Sequence, residues 1–352
     1  MLKSKNLTFK SFIVLLQNFI QNNAKNYQNK LNGKNITAQT LANYIYLHKL
    51  LLKFHQSGFE IEIVIGKSTN ANFARKQKKT WQTLYIKFTN FLYNNGYFDN
   101  YVGANIKMLK TFCKWLELEK GINIGNFYRS FKIVKEDIPI LVLQPEQLRF
   151  LINDEKFKAI LSDKMKKIKD LFVFGCTVGL RISDLMLLRK SNIEIINEVW
   201  YLKVYSKKTN VFTKIKLPYF AIEIVKRNKS KSVYLFYEVK NLNLNQKFKE
   251  LAELAGWTHQ LVKIRMRRGK PIEIYKDPKK KTHYRFCDLI STHTMRRTAI
   301  TTLLSLGMDE PSVRKISGHA PGSAEFYRYV QYHQQNLDEK TDLAFEKLQN
   351  LS

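Results

Sequence analysis

In the last third of the chain, Ser291-Thr-His293-Thr-Met-Arg296-Arg-Thr is followed by Ser317-Gly-His319 and, ten residues beyond that histidine, by Tyr329. A neutral imidazole, a permanently charged guanidinium, a second imidazole and a phenol are the groups needed to break and rejoin a phosphodiester without a metal. Upstream, Gly179-Leu-Arg181-Ile-Ser-Asp184-Leu supplies a second arginine.

Each piece has a plainer reading when taken alone. His293 and Arg296 stand three apart after a helix cap at Ser291 or Thr292, so they share a face near a helix start, where backbone N–H groups favour an anion. A surface pair of that spacing is common. Arg181 opens an apolar helix carrying Ile182, Leu185 and Leu188 and needs a partner, which Asp184 offers as an ordinary structural ion pair. Gly318-His319 closes a short helix opened by Asp309-Glu-Pro311, and a histidine there reads first as a packed turn residue. Tyr327 and Tyr329 lie about 200° apart on a helix, so only one of them can face a given phosphate. Lys207 and Lys208 are neighbours at the tip of a hairpin, where strand geometry points them to opposite faces. Cys113, Cys176 and Cys287 are scattered and odd in number, which suits core packing rather than disulfides. His293 and His319 lack the compact carboxylate set of a metal-dependent hydrolase, so neither metal nor cofactor is expected.

These side chains must be positioned by a chain with 60 basic and 29 acidic residues, a net charge of +31. Coding bias toward AT-rich codons would raise Lys and Asn together but would not halve the acidic count. The excess calls for a polyanionic partner, nucleic acid before a membrane surface. A hydrophobic fraction of 44% excludes a disordered chain, and 352 residues suffice for two cores. No apolar run approaches the roughly 18 to 20 residues of a membrane span. No small-residue cleavage site follows the N-terminus, so a cytoplasmic protein is expected.

Residues 1–135 read as an all-helical domain, with apolar residues at i, i+3 and i+4 over 9–20, 40–54, 80–93 and 101–118 and a turn at Gln21-Asn-Asn. In the last of these, Ile106, Leu109, Cys113 and Leu116 form one stripe and Lys107, Lys110 and Lys114 another. The period breaks before Pro145, making 136–144 a linker, and a helix starts at Pro145-Glu-Gln-Leu. From 145 to 352 the pattern predicts helices, two paired strands at 200–206 and 213–217, then helices again. Residues 262–281 look irregular and very basic, including Arg265-Met-Arg-Arg-Gly-Lys and Lys279-Lys-Lys. The fold class is α+β, predominantly helical, with a small antiparallel sheet.

In this order the pieces resemble the tyrosine recombinase (phage integrase) family, in which a GLR-x-S-[DE]-L box, a hairpin lysine, an HxLRHT box, a GH turn and a tyrosine succeed one another. They stand here as Gly179 to Leu185, Lys208-Thr, His293-Thr-Met-Arg296-Arg-Thr, Gly318-His319 and Tyr329, and the resemblance spans residues 140–335. Met295 replaces the usual Leu, Arg297 the usual His, and the ten residues from His319 to Tyr329 slightly exceed the usual spacing. Phe326-Tyr-Arg-Tyr329-Val330 is similar to the family's aromatic-x-Arg-Tyr-aliphatic ending, which selects Tyr329 over Tyr327.

The resemblance implies a helical core-binding domain ahead of a mixed catalytic domain. It further implies site-specific DNA cleavage and rejoining through a 3′-phosphotyrosyl bond. Tyr329 would be the nucleophile and Lys208 the general acid, with Arg181 and Arg296 holding the phosphate. His293 and His319 would bond the phosphate and assist proton movement at Tyr329, and Asp184 would support them. Implied partners are double-stranded DNA, a homotetramer on paired sites, and accessory DNA-bending or directionality proteins. The tail after Tyr329, with Leu337, Leu343, Phe345 and Leu348, would pack on a neighbouring protomer, and a DNA-acting protein would associate with the nucleoid. The basic segment 262–281 favours a mobile-element integrase over a chromosome-dimer or plasmid resolvase. A monomeric topoisomerase and a catalytically inactive DNA-binding protein are the other readings.

Overall fold

Apolar periodicity builds four long helices at the start of the chain. The computed structural model describes residues 6–24, 36–67, 70–206, 211–228, 231–239, 242–320 and 322–330, with 341 and 345. In chain order the first elements are β1 (Asn6–Thr8), α1 (Phe9–Ala24), α2 (Ala38–Gln56), β2 (Glu62–Val64), α3 (Ala71–Asn94) and α4 (Asp99–Glu119). Then follow α5 (Pro145–Asn153), α6 (Glu155–Ile160), α7 (Asp163–Val178), α8 (Ile182–Leu185), β3 (Ile193–Ile196), β4 (Val199–Ser206), β5 (Val211–Lys216), α9 (Tyr219–Arg227) and α10 (Leu244–Leu254). The last are β6 (Gln260–Leu261), β7 (Lys263–Arg267), β8 (Lys270–Ile274), β9 (Tyr284–Arg285), α11 (Phe286–Leu289), α12 (Thr292–Ser305) and α13 (Glu310–Ser317). Contacts divide the chain into two units, Met1–Ile138 with Ile264–Ile274, and Pro139–Lys263 with Tyr275–Ser352.

The first unit buries one aromatic-rich core. Phe12 meets Trp81 and Phe112 edge-on, with ring centroids 6.1 and 5.1 Å apart, and the Trp81 indole donates to the Ile124 carbonyl at 2.8 Å. Gly103 on α4 lies against the Val134 backbone so closely that a Cβ there would come within 1.9 Å of its carbonyl oxygen. Three expectations need correction. The turn at Gln21 is absent, because α1 continues to Ala24. The unit is not wholly helical, since β1 pairs antiparallel with β2 in the register Asn6↔Val64 and Thr8↔Glu62. Residues 262–281 are irregular only after Ile274: β7 and β8 form a two-stranded hairpin, and 264–274 belong to this unit although the chain reaches them from the other. Arg268 and Gly269 at its turn have φ of 55° and 74°, the left-handed pair that a two-residue hairpin of primed type requires.

In the second unit, the C-terminal half of α7 is buried, and the helix ends at Gly179, whose φ of 63° closes it with a left-handed cap. Gly175 lets α12 approach, since a Cβ there would stand 2.5 Å from Met295 Sδ. The sheet runs in the order β3-β4-β5, all antiparallel, and β3 is a strand the alternation pattern did not reveal. On β5, Thr213 and Ile215 are buried while Phe212 and Lys214 face solvent, the period-two alternation expected of a half-buried strand. A smaller cluster of Ile300, Leu304, Val313, Phe326 and Tyr329 seats the helical residues 324–330 among α12 and α13.

Candidate active site

Four short stretches of the second unit converge on one cavity of about 240 Å³. The α7–α8 turn contributes Arg181, Ile182 and Ser183, and the start of α12 contributes Thr292, His293 and Arg296. His319 enters from the turn after α13, and Glu325 and Tyr329 from residues 324–330. Arg181 is the N-cap of α8, with extended backbone, and the Asp184 N–H donates to its carbonyl at 2.9 Å. Ser291 caps α12 in a reciprocal arrangement with Thr294, and the Thr292 N–H is taken by Asn245 Oδ1 at 2.9 Å. His293, in the first turn, is exposed.

Arg296 is 3% exposed, and its position is set by backbone rather than by a carboxylate. Its Nη1 donates to the carbonyls of Gly179 at 2.9 Å and Ser317 at 2.6 Å. Both carbonyls belong to the C-terminal ends of helices, where the partial negative charge of the backbone accumulates. Burial, reinforced by the like charge of Arg181, draws the guanidinium down to about 10, so it stays charged at neutral pH. Its Nη2 lies 2.8 Å from His319 Nε2. Ring Nδ1 lies 3.1 Å from the same Nη2 and 2.8 Å from Ser317 Oγ, which itself donates to the Val313 carbonyl. One tautomer satisfies the whole chain: Nδ1–H donates to Ser317 Oγ, and Nε2 accepts from Arg296. Burial first, then Arg296, Arg181 and Arg314, pull His319 down to about 3, leaving it neutral.

The two tyrosines have different surroundings. Tyr329 is 4% exposed, lines the cavity, and has its ring centroid 6.0 Å from that of His319. Tyr327 is 46% exposed, does not line the cavity, and lies under the Arg314 guanidinium at 5.6 Å. Asp184 is half-buried beside the α8 turn and is not among the cavity-lining residues. Lys207 and Lys208 lie outside the described residues. Among the described residues no group of histidine, cysteine and carboxylate side chains is arranged to hold a metal, and the three cysteines are free and buried.

Sequence reading missed several residues at the cavity. Glu325 was visible as the residue four before Tyr329, on the same helical face. Asn245 carries no sequence signal, because it acts through a partner chosen by packing.

No curated protein matches the chain. Solved structures do. It resembles the XerH site-specific recombinase bound to palindromic difH substrate in a post-cleavage complex, with a TM-score of 0.58 and 16% identity over 95% of this chain and 96% of that one. It is similar to a lambda integrase dimer bound to a COC′ core site, with a TM-score of 0.56 and 13% identity over 92% and 77%. It is similar as well to the Tn1549 transposon integrase in complex with circular intermediate DNA, at 0.53 and 15% over 90% and 94%. Identities this low establish the shared fold. The phage integrase family profile matches residues 143–336, more than half of the sequence and the stretch that forms the cavity. The chain therefore belongs to the phage integrase family, the tyrosine-type site-specific recombinases.

Proposed function

We propose that this enzyme cleaves and rejoins duplex DNA at specific sites with Tyr329 as the nucleophile. The observation that carries the reading is one cavity lined by two arginines, two histidines and a single tyrosine. The Tyr329 oxygen bonds to the scissile phosphorus as the bond to the 5′ oxygen breaks, giving a 3′-phosphotyrosyl link and a free 5′-hydroxyl. The link conserves the energy of the broken bond, so the partner strand's 5′-hydroxyl can reverse the step. Arg181 and Arg296 offer forked donors to the non-bridging oxygens as charge gathers there.

Lys208 protonates the leaving 5′ oxygen. The Lys208-Thr dipeptide between β4 and β5 is similar to the family's hairpin lysine. Val204 pairs with Thr213, and Gly318 lies beside Thr213. Of the two histidines, His293 is the one suited to proton movement at Tyr329. His319 holds Arg296 instead, because its Nε2 lone pair is already engaged and its basicity is low. Asp184 supports the α8 turn.

The working assembly we infer is a homotetramer on paired sites of a mobile element, aided by accessory DNA-bending or directionality proteins and acting in the cytoplasm at the nucleoid. The basic helical unit grips the same duplex through its phosphates. To test the chemistry, the parent, Tyr327→Phe and Tyr329→Phe are incubated with a nicked duplex of the cognate site, and detergent-resistant protein–DNA adduct is scored. Adduct from the parent and from Tyr327→Phe but not from Tyr329→Phe is expected. Adduct from Tyr329→Phe would remove it as nucleophile.

A further inference from the structure

Arg265, Arg267 and Arg268 crowd the hairpin β7–β8, and by composition they look like DNA contacts. The first unit uses them differently. Arg265 donates through Nε and Nη2 to Glu136 Oε1 at 2.9 and 2.6 Å, and the Met266 N–H donates to Glu136 Oε2 at 2.5 Å. At the turn, the N–H groups of Arg268 and Gly269 donate to the two oxygens of Asp99 at 2.8 and 3.0 Å, and the Tyr93 hydroxyl adds a third bond at 2.9 Å. Asp99 is 1% exposed. Arg267 donates to the Gly96 carbonyl at 2.9 Å, Arg268 to Asn90 and Asn94 at 2.7 and 3.2 Å. The guanidinium groups of Arg265 and Arg267 lie over Phe98, that of Arg268 over Tyr93.

Two buried carboxylates satisfied largely by one hairpin make a strong anchor, since releasing the hairpin would leave both charges buried and short of partners. The anchor sits at a special place in the chain. The backbone leaves this unit three times, after Ile138, before Ile264 and after Ile274. Glu136 and Arg265 stand next to two of those exits, and their ion pair ties the exits together.

We propose that β7–β8 is a brace that turns a single linker into a three-stranded connection, with Asp99 and Glu136 as positioning residues, and that it strengthens binding to duplex DNA. This rests on the reading that both units grip one duplex. A tighter connection raises the effective concentration of the second unit once the first is bound, without adding a phosphate contact.

The test uses the full chain, a random-sequence duplex long enough for both units, and two variants, Asp99→Asn with Glu136→Gln and Arg265→Gln with Arg268→Gln. Amide exchange and affinity across a salt series are measured. In both variants the backbone amides at positions 268 and 269 should exchange faster while α3 stays protected. Affinity should drop about tenfold with the salt slope unchanged. Faster exchange with unchanged affinity overturns the brace. So does a slope that falls by about one for each arginine removed, because the hairpin would then be a phosphate contact. Should the carboxylate variant fail to fold, the arginine variant decides alone, since it keeps both carboxylates and the backbone N–H bonds that reach them. A parent chain that does not bind duplex DNA fails the functional reading instead, and hairpin exchange still reports whether the anchors hold.

Discussion

The Arg296 guanidinium donates to His319 Nε2 at 2.8 Å, so two residues drawn from separate sequence motifs form one buried unit. The arginine is held from behind by the Gly179 and Ser317 carbonyls, and the histidine by Ser317 Oγ. Charge is thereby presented to the cavity from a rigid seat rather than from a mobile side chain. The predictions below follow from that seat and from the packing around it.

Arg296→Lys keeps the charge and loses the fork. A single ammonium cannot serve both carbonyls, His319 and a phosphate together. Adduct formation should slow by about 30- to 1,000-fold, the range for removing a transition-state donor. Leaving a buried acceptor unsatisfied should lower the unfolding free energy by roughly 1–3 kcal/mol. Single-turnover cleavage and denaturant unfolding measure the two effects, and an Arg296→Lys enzyme cleaving at the parental rate would refute the fork.

Acid should weaken the fold through His319. Its folded value of about 3 lies below the ordinary 6.5, so between these the unfolded chain binds a proton that the folded chain does not. The stability it contributes is complete above about pH 6.5 and is lost as pH falls toward 3, at no more than about 1.4 kcal/mol per pH unit. His319→Gln removes this titration. Unfolding curves across that window should show a shallower loss for the variant than for the parent, and parallel curves would contradict the assignment.

Glu325 lines the cavity, and its negative charge favours the charged form of Arg296. A phosphate entering the cavity meets that charge as repulsion. Glu325→Gln should bind duplex DNA about two- to fivefold more tightly, the size of one partly exposed charge contact. Weaker binding on a low-salt titration would mean that the carboxylate serves another purpose.

Gly103→Ala tests the first unit. The added methyl would meet the Val134 carbonyl oxygen at 1.9 Å, and backbone cannot rotate away as a side chain end can. Destabilisation at or beyond the roughly 1–3 kcal/mol typical of overpacking is expected. Gly256→Ala is a poor control, because φ there is 76° and strain alone would destabilise it. The comparison is better made with Lys107→Ala on the exposed face of α4, which should change the melting temperature little.

What the sequence determined by itself was local. Helix spans at 40–54 and 101–118, the cap at Ser291 or Thr292, the stop at Gly318 and the start at Pro145 are all readable, because each depends on residues within a turn or two. The order of the motif boxes likewise carries the resemblance to the family. Tertiary structure decided the rest. Helical geometry says that Tyr327 and Tyr329 diverge, but only the packing of Phe326 and Tyr329 with Ile300, Leu304 and Val313 determines which one turns to the cavity. The partners of Arg296, and the destination of the β7–β8 hairpin at Asp99 and Glu136, lie far along the chain. Periodicity reports the conformation of neighbours in sequence, whereas a buried polar group takes whichever partner the folded core brings within hydrogen-bonding distance.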